Sequence, residues 1–222
     1  MATEQLVIAY AGSLAYFDPA QQAPKGLLSR LFGTYQVDNL DISTRSAYYL
    51  FAGLQQLIAN HPEYATRIKL HFWGAIDKRT AAQAAKMGVQ PCVQIESYKA
   101  KADSLRTLQQ ADVLFLPLET EKNGQRPLFI PGKLYEYLAT GKPVLAVAGS
   151  SDCTDILRKA GTGIIVNPFD SAAIAAALKE LCDNKARLGE IYRVNEEVVK
   201  EYSFDVIAGK MVGVFETVLK NK

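Results

Sequence analysis

The chain has 222 residues, 49% hydrophobic and 22% charged, enough for one full-sized core and too few for two independent ones. Its 25 Lys and Arg against 23 Asp and Glu leave a net charge of +2 scattered along the length, which argues against a nucleic-acid partner. Cys92, Cys153 and Cys182 are far apart, and His61 and His71 have no ligand-like spacing to them, a pattern that fits a reducing compartment and no structural metal.

In chain order, residues 1–5 show no basic start or cleavage site, so no signal peptide is expected, and no apolar run approaches the roughly 20 residues of a membrane span. Apolar or β-branched runs at 6–11, 68–73, 93–95, 113–116, 144–147 and 163–166 predict six strands. Helical periodicity over 44–59, 78–87, 100–109, 133–140, 152–159 and 171–182 fills the intervals. That alternation predicts a doubly wound, Rossmann-like α/β fold with a parallel sheet and helices on both faces. Residue 170 or 171 is expected to cap a helix, and Gly88 and Gly141 to end two others. Two helical segments, about 185–200 and 203–219, close the chain without a further strand. The connection 16–39, with Pro19, Pro24, Gly26 and Gly33, is long for a compact domain and reads as a surface insertion.

In such a sheet the ligand site lies beyond the carboxyl ends of the strands. After the first strand come Gly12 and Ser13, where a phosphate can approach the backbone, although a plain tight turn has the same composition. Arg45 is expected at the start of the first long helix, where the helix dipole favours an anion, or else as a solvated side chain. Pro131 and Gly132 open a helix, Lys133 adds a cation, and Glu136 stands one turn on. A carboxylate there can take two ribose hydroxyls or simply complement the dipole. Tyr98, after the third strand, offers a ring for a base to stack on or to lie packed in place.

The chain resembles the carboxy-terminal, donor-binding domain of the family 4 glycosyltransferases, one half of a GT-B fold, over nearly its whole length. The residues that carry this are Tyr10-Ala11-Gly12-Ser13-Leu14, Leu70-His71-Phe72-Trp73-Gly74, Ala111-Asp112-Val113-Leu114-Phe115-Leu116-Pro117 and, most specifically, Pro131-Gly132-Lys133-Leu134-Tyr135-Glu136-Tyr137-Leu138-Ala139 with Gly141-Lys142-Pro143-Val144. The resemblance implies transfer of a hexose, with retention, from a nucleoside diphosphate sugar such as a UDP-sugar to a glycan or lipid-linked acceptor, with no other cofactor. It implies that Glu136 binds the ribose and that Arg45 and Lys133 hold the diphosphate, with Gly12, Ser13, Tyr98, Gly132 and Leu134 completing the donor site. Many members carry a second glutamate eight residues earlier, where this chain has Leu128, and a Lys-Gly pair for which Lys25-Gly26 is a remote candidate. Tyr202-Ser203-Phe204 and the amphipathic helix after it resemble the family's closing helix, which reaches back to an amino-terminal domain. The chain thus reads as one nucleotide-sugar-binding domain without its acceptor half, with an apolar face where that half would pack. Its implied place is the cytoplasm, where nucleotide sugars are found, with any membrane attachment peripheral. A nucleotide-sugar epimerase and a non-catalytic nucleotide-binding or interaction domain are the alternatives of the same architecture.

Overall fold

The structure, a computed structural model, describes residues 5–21, 40–121 and 126–220. Six parallel strands form one sheet: β1 (Leu6–Ala11), β3 (Ile68–Trp73), β4 (Val93–Glu96), β5 (Val113–Pro117), β7 (Val144–Val147) and β8 (Gly163–Val166). Their order is β4-β3-β1-β5-β7-β8, so the chain winds outward from β1 in both directions and reverses there. A separate two-residue pairing joins β2 (Leu40–Asp41) antiparallel to β6 (Thr120–Glu121). The predicted six-stranded doubly wound sheet is the one found.

Strand periodicity divides the core into two layers. Leu6, Ile8 and Tyr10 of β1 face a layer with α1 (Tyr48–Asn60) and α7 (Ser171–Asp183), where Leu50, Leu54, Leu178 and Leu181 are buried. Ala9 faces the opposite layer, built with α4 (Lys101–Gln110), α5 (Gly132–Thr140) and α6 (Asp152–Lys159), where Leu108, Leu134, Tyr137 and Leu157 are buried. The short helices α2 (Tyr64–Arg67) and α3 (Arg79–Lys86) flank β3. Local chemistry sets several ends. Asp170 caps α7 by accepting from Ala173 N at 2.8 Å, and Gly141 ends α5 in the left-handed region at φ 65°.

Two expectations require correction. The helix expected from residue 44 starts at Tyr48, because Ile42–Arg45 is a separate 3-10 turn capped by Asp41 and Ser46 is extended. The segment 185–200 is not one helix: a 3-10 turn, Lys185–Arg187, is followed by α8 (Leu188–Ile191) and then α9 (Glu196–Lys200). Between α8 and α9 the backbone docks on the α6–β8 turn, where Asn195 N donates to Ala160 O at 2.9 Å, and Asn195 then caps α9. The last helix, α10 (Phe204–Lys220), contributes no buried residue, and Phe204, Met211, Val214, Phe215 and Val218 are all exposed. No helix among the described residues is long and apolar enough to cross a membrane.

Candidate functional site

At the reversal point, the exits of β1 and β3 lock together through two glycines. Gly12 N donates to Trp73 O at 2.9 Å and Leu14 N to Ala75 O at 3.1 Å. Gly12 and Gly74 have φ of 134° and 119°, and a Cβ on Gly74 would stand 2.5 Å from Gly12 O. Only glycine satisfies that pair of turns. The Gly12 amide, expected to face a phosphate, is thus committed to the sheet. Ser13 is exposed, and its carbonyl accepts from the Tyr10 hydroxyl at 2.5 Å.

Across from these turns, α5 begins after Pro131, which has no side-chain group to bond the first amides. Gly132 is exposed and clear of neighbours. Lys133 leans back over β1: its Nζ donates to Ala11 O and lies 4.4 Å from the centroid of the Tyr10 ring. The lysine is therefore tethered to β1. Burial pushes its pKa below the ordinary lysine value, with Glu136 opposing the shift and Arg45 adding to it. Burial also pushes the Tyr10 phenol up to about 12, so it stays neutral under the lysine.

Gly12, Ser13, Gly74, Lys133 and Glu136 line one cleft of about 390 Å³ with Tyr98, which is 80% exposed. Glu136 is exposed one turn along α5 from Lys133. The volume is in the range of small-molecule sites. Sequence reasoning missed three residues that share this cleft, Trp73, Lys101 and Ser104, whose indole and hydroxyl are joined by a 2.8 Å hydrogen bond from Trp73 Nε1 to Ser104 Oγ. Lys101 follows β4, so its position after a strand was the only signal that pointed to it.

The other expected site residues lie apart from this cleft lining. Leu134 is fully buried and its N–H donates to Pro131 O at 2.9 Å, so it supports the loop from beneath and presents nothing to a ligand. Arg45 sits at the end of the 3-10 turn rather than at a helix start, because its carbonyl is held by Ala15 N at 3.4 Å beside the β1 exit. Its Nε lies 3.5 Å from Oε2 of Glu119, a buried carboxylate that no sequence motif singled out. Leu128 is 91% exposed in the stretch before Pro131. Lys25 lies outside the described residues.

Comparison with known proteins agrees with this arrangement at the level of fold. Solved structures similar to the chain include an α,α-trehalose-phosphate synthase (UDP-forming) from Burkholderia vietnamiensis, with 14% identity and a TM-score of 0.65 over 99% of this chain and 45% of that one. A sucrose-phosphate synthase from Thermosynechococcus elongatus shares 16% identity, with a TM-score of 0.64 over 100% of this chain and 47% of that one. Anabaena Alr3699/HepE, solved with UDP and with UDP-glucose, shares 14% identity, with a TM-score of 0.60 over 96% of this chain and 49% of that one. The chain therefore spans just under half the length of these proteins. No curated protein sequence matches it. The family model described as glycosyl transferases group 1 matches residues 43–184, well over half of the chain, from the Arg45 turn through α5 to the end of α7. The chain belongs to the glycosyl transferases group 1 family.

Proposed function

We propose that the chain is the donor-binding half of a GT-B glycosyltransferase of family 4, transferring a hexose from a nucleoside diphosphate sugar to an acceptor hydroxyl with retention at the anomeric carbon. The observation that carries this reading is the pairing of Lys133 and Glu136 on the first two turns of α5, both facing the glycine-locked exits of β1 and β3 across one cleft.

In this reading the diphosphate enters between the Ser13 turn and the start of α5. The first amides of α5 and the positive end of its dipole receive the phosphate oxygens. Lys133 exchanges the Ala11 carbonyl for the anion, a stronger charge-assisted partner. Glu136 accepts from the ribose hydroxyls, and the exposed ring of Tyr98 stacks on the base. As the bond from the anomeric carbon to the diphosphate breaks, negative charge grows on the leaving oxygen, and Lys133, Arg45 and the α5 amides stabilise it. The neighbours solved with UDP and UDP-glucose favour a UDP-sugar as donor. The exposed apolar side chains of α10 and the half-length match to the neighbours support an amino-terminal domain that completes the cleft and supplies the glycan or lipid-linked acceptor.

Calorimetric titration with UDP, GDP and UDP-glucose tests this. Saturable binding of one of them, weakened by about 1–3 kcal/mol in Glu136→Ala and in Lys133→Ala, is the expected outcome. Binding that neither substitution alters would place the ligand elsewhere and sink the assignment. Nucleotide binding with no sugar transfer once the amino-terminal half is supplied would favour the non-catalytic alternative.

A further inference from the structure

The donor-site reading leaves one costly feature of the molecule unused. Glu119 is 7% exposed, and no other charged residue among those described is buried to that degree. Its Oε2 has no hydrogen-bond partner, and the cation facing that oxygen is Arg45, at 3.5 Å. A desolvated carboxylate with an unbonded oxygen opposes folding, so this side chain is poorly explained as a stabilising element.

The backbone around the pair is firmly built. Thr44, fully buried next to Arg45, donates its hydroxyl to the carbonyl of Leu118, next to Glu119, at 2.7 Å. The β2–β6 pairing, Leu40 with Glu121 and Asp41 with Thr120, ties the same two segments together beyond that bond. Asp41 in turn fixes the 3-10 turn, accepting from Ser43 N at 3.0 Å. The turn carrying Arg45 and the strand exit carrying Glu119 are thus clamped from both sides. The Arg45 side chain keeps 43% of its surface exposed, and the Arg45 carbonyl accepts from Ala15 N at 3.4 Å, two residues past Ser13 of the cleft.

We infer that Glu119 is a positioning residue: it fixes the Arg45 guanidinium near the exit of β1, so that an incoming diphosphate held by Lys133 meets a second cation already in place. This role rests on the donor-site reading above. Without the carboxylate, this long side chain gains freedom, and the anion must then order it on binding. The opposing effect is repulsion between Glu119 and the anion, which predicts the reverse result in the same experiment.

The test is UDP titration of the unaltered chain, Glu119→Gln, Arg45→Ala, the double variant and Lys133→Ala, each with a thermal unfolding curve. Glu119→Gln is expected to weaken UDP binding about five- to tenfold, with an unchanged or higher Tm, and to have no further effect in the Arg45→Ala background. Glu119→Asp, which keeps the charge but withdraws it, is expected to fall between, and it carries the test if the glutamine variant does not fold. Tighter UDP binding by Glu119→Gln, or an equal loss with and without Arg45, overturns the role. Loss of binding in Lys133→Ala but not in Glu119→Gln overturns this role alone, whereas no UDP binding by the unaltered chain removes the donor-site reading and this role with it.

Discussion

On one wall of the cleft Gly74 is pressed against Gly12 so that a methyl group would stand 2.5 Å from its carbonyl oxygen, whereas on the other wall Gly132 has no atom within 4 Å of such a group. The first two glycines also hold φ values that side chains rarely adopt, and Gly132 does not. One residue type therefore serves two different ends. Gly12 and Gly74 let two strand exits touch, which is a demand of the fold. Gly132 leaves the approach to the α5 amides clear, which the fold does not require and the proposed donor site would use.

Substitution by alanine separates these demands. Gly74→Ala places a Cβ against backbone that cannot give way, at a strained φ, and is expected to destabilise the protein by roughly 2–5 kcal/mol, measured by denaturant unfolding. A loss under 1 kcal/mol would show that the two exits are not rigidly locked. Gly12→Ala meets mainly the flexible end of Lys133, so only the backbone strain remains, about 1–3 kcal/mol, together with displacement of the lysine from Ala11 O. Gly132→Ala, in the first turn of a helix and free of clashes, is expected to leave stability unchanged or raise it by about 0.4–1 kcal/mol while weakening UDP binding. If it instead destabilises the chain and spares binding, the contrast between the two walls is wrong.

Lys133 gives a gentler test of the same contrast through pH. Its folded-state pKa is lowered by burial, and a bound diphosphate raises it, so binding takes up a proton between those two values. UDP affinity is therefore expected to fall as pH rises through that window, by no more than about tenfold per pH unit, and to lose this dependence in Lys133→Arg. For folding the sign is reversed. The unfolded chain keeps the proton up to the ordinary lysine value of 10.5, so the contribution of this group to stability rises with pH between the lowered value and 10.5. A UDP affinity that is flat across alkaline pH would mean that Lys133 does not meet the anion as a cation.

Much of this architecture was legible because it is written in local patterns. The six strands are short apolar runs, α7 opens at a capping aspartate, α5 closes at Gly141, and Lys133 and Glu136 share a helix face three residues apart. The misreadings fell where distant segments decide. Residues 44–47 have helical periodicity, yet the Ala15 and Leu118 contacts hold them out of α1. The stretch around Asn195 is drawn out of a helix by Ala160. Leu134 belongs to the donor motif as a letter and to the core as a side chain.

The sequence alone determined the period of each element and the punctuation at its ends, and with them the doubly wound class of the fold, since these depend on near neighbours along the chain. The strand order around β1 came from the structure. Only the tertiary structure decided that Gly12 gives its amide to β3, that Lys133 folds back onto Ala11, and that Lys101, Ser104 and Trp73 join the cleft. It alone brought Glu119 within 3.5 Å of Arg45. Those relations join residues up to 122 positions apart, and their physical cause is the packing of strand exits side by side, which no spacing along the chain encodes.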